Sequence, residues 1–253
     1  MVSVTRSRAR ALLTRYAVAW LYLGGFALAG LADTALDGPH RHAVLWWAST
    51  DVVNLHRDPV GSLVASAFIT DASWIAWLPL IALALFGATA VLGNWRTAVV
   101  CAAGQVIGTL VSEGIVDYRL AHGLLPAADE RILDVGPSYV VVSAITVALL
   151  YGSWWARVAA AADLAILIFI GRIFSGLSTL QVAAVGHATA IAVAAVLGSL
   201  LLWQQRRRPP PGRPGEPGPA AQPSSSRSQD SATRPTAPGF FDSACVSPSS
   251  TTT

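Results

Sequence analysis

Apolar residues in this chain occur in blocks of about twenty, and this length constrains the fold more than any other feature of the sequence. At about 1.5 Å of rise per residue, a helix of that length crosses the roughly 30 Å hydrocarbon core of a bilayer. Only 12% of the residues are charged, about half the share that is usual in soluble domains. The sequence therefore predicts an all-α polytopic membrane protein.

Six segments have the character of membrane spans. They cover residues 16–35, 73–92, 97–115, 138–152, 158–170 and 178–203. Residues 33–72 contain only short apolar pieces, which predict a long loop with short helices at the membrane surface. A cleaved signal peptide is the alternative interpretation of the first segment, but that segment is long for a signal core and further spans follow it.

The placement of arginine predicts the topology, because cytoplasmic loops are enriched in basic residues. With the N-terminus inside, the inner loops hold most of the arginines, namely Arg6, Arg8, Arg10, Arg15, Arg96, Arg157, Arg206, Arg207 and Arg208. Four tryptophans fall at the same ends of the predicted spans, Trp95, Trp154, Trp155 and Trp203. Both termini are therefore predicted to be cytoplasmic, in a protein of the plasma membrane.

These features divide the chain into a basic N-terminus over residues 1–15, a six-helix bundle over residues 16–203 and a tail over residues 204–253. The tail is rich in Pro, Gly, Ser and Thr, which predicts disorder. Cys101 lies in a span and Cys245 in the tail, so no disulfide framework follows. We expect the lipid bilayer as a partner, no nucleic acid, no metal and no cofactor.

Polar side chains inside predicted spans are candidates for function, although many such residues only join helices. The set is Gln105, Thr109, Glu113, Ser138, Ser143, Asp163, Gln181, His187 and Thr189. Asp163 has no obvious basic partner. A protonated carboxyl, a pair with Gln105 or Thr109, and a place in a proton path are the alternatives for it.

Ser138 and His187 are related by depth in the membrane. Ser138 precedes Trp154 by as many residues as His187 precedes Trp203. If both tryptophans mark the inner interface, each polar side chain lies about 24 Å above it, just below the outer boundary. The two residues are therefore candidates for one site.

Ser138 follows Gly136 and Pro137, a pair that favours the start of a helix. In the first turn, the serine would lie near unpaired backbone amides and the positive end of the helix dipole, where an oxyanion is stabilised. The alternatives are that Ser138 only caps the helix and that His187 only bonds across helices.

The sequence resembles the rhomboid family of intramembrane serine proteases over residues 16–203. Gly136-Pro137-Ser138 is similar to the Gly-x-Ser-Gly motif of that family, and residues 186–190 are similar to its histidine motif. Residues 58–68 resemble the surface-lying loop helix of the family, and Gly87 resembles the glycine that closes its second span. The resemblance implies a six-transmembrane-helix rhomboid-like bundle, with Ser138 as nucleophile and His187 as general base.

The chain departs from the family pattern at three places. Tyr139 replaces the glycine after the serine and would crowd the place where a substrate carbonyl approaches. Gly136 and Tyr139 are the candidates for lining the oxyanion and substrate site. The His-x-x-x-Asn motif of the second span is missing, with Ile75 and Pro79 near those positions. Val142 stands where family members place an aromatic residue beneath the histidine. Losing one oxyanion donor typically lowers a rate by about 10²–10³-fold.

Two classes of function follow from the resemblance. One is an intramembrane serine endopeptidase that cleaves transmembrane segments of other membrane proteins. The other is a catalytically silent rhomboid-like protein that binds such segments. A small-molecule transporter is a weaker third alternative, since no repeat with broken helices is evident.

Overall fold

A computed structural model describes residues 2–207, with the backbone alone for residues 2–6 and Ala9. From residue 208 onward, the predicted tail lies outside the described residues. The described residues form ten α-helices and no strand, in the order α1 Val2–Arg15, α2 Ala17–Thr34, α3 Gly38–Ala48, α4 Val52–Arg57, α5 Pro59–Ser66, α6 Trp74–Leu92, α7 Asn94–Ala121, α8 Ser138–Tyr151, α9 Trp154–Phe169 and α10 Val182–Arg207. Short 3-10 helices cover Ala127–Arg131 and Leu177–Thr179.

Four of the described helices, α2, α6, α7 and α10, are long and apolar enough to cross a membrane. Together they confirm an all-helical membrane bundle. Helices α8 and α9 are shorter, with 14 and 16 residues. All residues of α8 from Tyr139 to Ala148 are buried, and α8 contacts α6, α7, α9 and α10. Because protein surrounds α8, its backbone needs no lipid-spanning length, and the count of six spans stays a prediction.

The segment predicted to hold short surface helices forms α3, α4 and α5. An aspartate precedes each helix and accepts a hydrogen bond from a backbone amide of its first turn: Asp37 from His40, Asp51 from Asn54 and Asp58 from Gly61. Such caps stabilise a helix by about 1 kcal/mol each. These three caps explain why a stretch with little hydropathy signal still folds into helices.

Helix α7 is longer than its predicted span of residues 97–115 and continues to Ala121. Helix α10 starts later than predicted, at Val182, because Leu180 has a φ of +58° that ends the preceding 3-10 turn. Hydropathy indicates where the chain leaves the hydrocarbon core, whereas the ends of a helix depend on its backbone hydrogen bonds. The two limits therefore need not coincide.

One end of the bundle carries arginine without acidic residues. At this end, Asn94 accepts from the amide of Val18 and donates to the carbonyl of Thr14, which joins α1, α2 and α7. Arg96 lies over the Trp95 ring and Arg207 over the Trp203 ring, at 4.8 and 3.6 Å. Among the described residues, every Asp and Glu except Asp163 of α9 lies toward the opposite, acidic end.

Candidate active site

Glycines bring α7, α8 and α10 into close contact. A Cβ atom on Gly108 would lie 3.0 Å from the carbonyl oxygen of Gly186 and 3.5 Å from the Cβ of Ala190. A Cβ atom on Gly104 would overlap the hydroxyl of Ser143 on α8. Small residues let helix backbones approach each other closely in membranes. The three helices therefore form one tightly packed junction, which holds the site.

Tyr139 of α8 fills this junction next to His187. Its ring lies 5.0 Å from the imidazole, measured between centroids, in an edge-to-face arrangement. The ring also occupies the space that a Cβ atom on Gly186 would need. Since Tyr139 follows Ser138 in the chain, the structure places the first turn of α8 and His187 at the same level of the bundle.

His187 is buried, with 4% of its surface exposed. Its Nδ1 atom lies 3.1 Å from the carbonyl oxygen of Ile173. A carbonyl only accepts hydrogen bonds, so Nδ1 carries the proton and Nε2 of the neutral ring is an acceptor. Nε2 has no hydrogen-bond partner. The backbone thus fixes the tautomer that a general base needs.

Ser138 is half-buried and is the first residue of α8. Pro137 is the N-cap and supplies no side-chain acceptor, and the backbone amides of Ser138, Tyr139 and Val140 donate no hydrogen bond. These three amides are therefore unpaired, as in the first turn of any helix without a capping side chain. The Ser138 hydroxyl is not hydrogen-bonded to His187, and the contact between α8 and His187 is made by the neighbouring Tyr139.

The loop before α8 is held by contacts that the sequence did not indicate. Gly136 has a φ of +133°, a conformation that glycine alone adopts readily, and its amide donates to the carbonyl of Ser66 at 2.8 Å. Asp134 accepts from the Tyr139 hydroxyl at 3.2 Å and from the Thr50 hydroxyl at 3.1 Å. Asp134 thus connects the segment between α3 and α4 to the residue that packs on His187.

Burial raises the pKa of Asp134, while its hydrogen bonds with Thr50 and Tyr139 oppose that shift. The folded protein therefore holds this proton more tightly than the unfolded chain does. The resulting stabilisation is full at acid pH and is lost as the pH rises through the raised pKa. We expect Asp134→Asn, which keeps an acceptor oxygen, to flatten this pH dependence and to melt a few degrees above the wild type at alkaline pH.

Melting curves in detergent across a pH series measure this effect. Glu130→Gln is the matched control, since Glu130 is an exposed carboxylate in the same connection. Wild type and Asp134→Asn with parallel profiles would show that Asp134 does not titrate differently in the folded state.

The other polar candidates have separate environments. Gln105 donates to the hydroxyl of Ser66 at 3.1 Å and joins α7 to α5. Asp163 is buried in α9 with its Oδ2 unpartnered, and it bonds neither Gln105 nor Thr109, which removes that pairing from its alternatives. The hydroxyl of Thr109 and Oε1 of Glu113 are buried without partners as well. Within residues 2–207, no group of His, Cys, Asp or Glu side chains is arranged to hold a metal ion.

The two positions that correspond to the missing His-x-x-x-Asn motif, Ile75 and Pro79, lie on α6 and not on the three helices of the junction. Ile75 is an exposed residue of the first turn of α6, and Pro79 lies inside that helix. Val142 is fully buried in α8. The aromatic neighbour of His187 is Tyr139, so the ring comes from the residue after the serine and not from one turn below it.

Comparison with known proteins gives one match. The family model described as rhomboid-like protein matches residues 14–204, which include helices α2 to α9 and nearly all of α10. Searches of curated proteins and of solved structures find no significant match. Because the family match covers well over half of the chain, it confirms the resemblance that the serine and histidine motifs indicated. The chain belongs to the rhomboid-like protein family.

Proposed function

We propose that this rhomboid-like membrane protein is an intramembrane serine endopeptidase, with Ser138 as nucleophile and His187 as general base. The observation that carries the proposal is the state of His187. Its Nδ1–H is committed to the Ile173 carbonyl, and its buried Nε2 accepts no hydrogen bond at the level of the first turn of α8. A buried acceptor without a partner is costly unless another group uses it.

The chemistry follows from these positions. The Ser138 oxygen attacks the carbonyl carbon of a peptide bond while its proton moves to Nε2 of His187. Negative charge develops on the carbonyl oxygen, where the free amides of the first turn of α8 can donate to it. His187 then gives the proton to the leaving amine, and a water activated by the same nitrogen releases the acyl group from Ser138.

The Ile173 carbonyl replaces the carboxylate of a triad, since it already orients the imidazole. The mechanism requires the serine hydroxyl to reach Nε2 of His187 when substrate binds. Catalytic hydrogen bonds are often long or absent in substrate-free enzymes and tighten in the complex.

A silent function has its own observation in favour. Tyr139 donates a hydrogen bond to Asp134 and packs its ring against His187. Ser138 and His187 are not hydrogen-bonded to each other. In that case the junction is helix packing, and the protein binds transmembrane segments of client proteins without cleaving them.

The proposal includes a six-span topology in the plasma membrane with both termini in the cytoplasm. The arginine-rich end, with its aromatic and arginine pairs, supports a cytoplasmic position for that end. The acidic end, where Ser138 and His187 lie, then faces outward, and the substrate is a transmembrane helix near its outer boundary.

Cleavage of a reporter membrane helix by the full chain in proteoliposomes tests the function. We expect wild type to cut the reporter and Ser138→Ala to leave it intact. Ser143→Ala is the matched control, because Ser143 is a buried serine of the same helix whose hydroxyl donates to the Tyr139 carbonyl. A wild type that binds the reporter without cutting it would support the silent function.

A further inference from the structure

A cavity of about 230 Å³ lies between α4 and α7 at the acidic end of the bundle. Glu113, Asp117 and His56 contribute its polar groups, and Val52, Leu55 and Leu110 its apolar wall. Glu113 and Asp117 are one helical turn apart on α7 and share a face. Glu113 is 2% exposed, whereas Asp117 and His56 are exposed. The cavity therefore has a buried carboxyl at its base and two polar side chains at its rim.

In their unprotonated forms, the polar groups around this cavity are acceptors. Oε1 of Glu113 has no hydrogen-bond partner. His56 places Nδ1 2.8 Å from the carbonyl of Val52, so Nδ1 is the donor there and Nε2 of the neutral ring accepts. Asp117 adds a second carboxylate. A ligand with several N–H donors would satisfy the whole set.

Acidic side chains are concentrated in this region. Asp51 and Asp134 lie within electrostatic range of Glu113. Among the described side chains, the ion pairs are His40 with Asp37 and Arg41 with Asp33, and neither involves these carboxylates. Buried carboxylates without a counter-charge are unfavourable. The residues are not arranged to hold a metal ion, which favours an organic cation.

We propose that the cavity of Glu113, Asp117 and His56 binds a basic side chain, arginine or lysine, next to the transmembrane helix of a bound substrate. The inference rests on the proposed function and adds the substrate class. Glu113 lies about 28 Å along α7 from its arginine-rich end, near the outer limit of the hydrocarbon core. A basic residue just outside a substrate helix reaches that depth. Asp134 lies within electrostatic range of Glu113 and accepts a hydrogen bond from Tyr139, which places the cavity near the candidate active site.

Binding of two transmembrane peptides tests the proposal without relying on cleavage. One peptide has an arginine just beyond its apolar stretch at the outer end, and the other has a glutamine there. The protein is the full chain with Ser138→Ala in phosphatidylcholine nanodiscs, and energy transfer to a labelled peptide reports binding. We expect the arginine peptide to bind about tenfold more tightly, as a charge-assisted hydrogen bond implies.

Adding Glu113→Gln should remove most of this preference. Asp163→Asn should keep it, since Asp163 is also a buried carboxyl with an unpartnered oxygen but lies on α9. Asp117→Asn, at an exposed position, provides the same test if Glu113→Gln fails to fold. Equal binding of the two peptides, or an arginine preference that survives both cavity variants, would overturn the proposal.

The outcome is separable from the protease question. An arginine preference in a protein whose wild type never cleaves would retain the cation site and reject the peptidase. Cleavage by the wild type with no preference between the peptides would retain the peptidase and reject the cation site.

Discussion

His187→Gln is expected to lower the rate of reporter cleavage by at least about 10³-fold, the upper range of what a positioned general base contributes. Glutamine can donate an amide hydrogen bond to the Ile173 carbonyl, as the imidazole does. It has no nitrogen that accepts the serine proton. The substitution therefore separates the structural role of His187, which glutamine partly keeps, from its role as a base.

The measurement is single-turnover cleavage in proteoliposomes, with a melting curve of each variant in detergent. His122→Gln is the control, since His122 lies at the end of α7 and its Nδ1 bonds the Tyr118 carbonyl away from the junction. A His187→Gln protein that is as stable as wild type and cleaves at the wild-type rate would remove His187 from the mechanism.

Gly108→Leu is expected to cause a large loss of stability by forcing α7 and α10 apart. Its side chain would meet the Gly186 carbonyl, the Ala190 methyl and the Tyr139 ring. The first of these is backbone, so relief requires α7 and α10 to separate. Overpacking typically costs about 1–3 kcal/mol and more where backbone must move. We expect little folded protein at growth temperature.

Gly114→Leu is the matched control, because Gly114 is on the same helix and a Cβ atom there meets nothing within 4 Å. Both substitutions remove a helix glycine, so they share any gain in helix propensity. The yield of monodisperse protein in detergent and its melting temperature measure the difference. Equal stability of the two variants would mean that the helices are not in the close contact described here.

Much of the bundle could be predicted because hydropathy reports directly on contact with lipid. The spans of α2, α6 and α10 and the start of α8 at Ser138 follow from apolar length and from the Gly136-Pro137 pair. The last part of α7 could not be predicted in this way. It contains Asp117 and Arg119, which interrupt the hydropathy pattern, while the helical hydrogen bonds continue to Ala121.

The candidate site was only partly accessible from sequence. The equal predicted depth of Ser138 and His187 in the membrane made them candidates for one site. This prediction needs only the helical rise per residue and the tryptophans at the interface. The roles of Ile173 and Asp134 could not be anticipated. Ile173 acts through its backbone carbonyl, which has no sequence signature. Asp134 meets Thr50 across a long chain separation, and no local periodicity encodes such a contact.

The most direct test of the central claim is the site of covalent modification by a fluorophosphonate in native membranes. A serine activated by a base reacts with this probe, whereas a serine that only begins a helix does not. Mass spectrometry of the full-length protein is predicted to find the adduct on Ser138, absent in Ser138→Ala and retained in Ser143→Ala. A wild type without an adduct, or an adduct that persists in Ser138→Ala, would contradict the account.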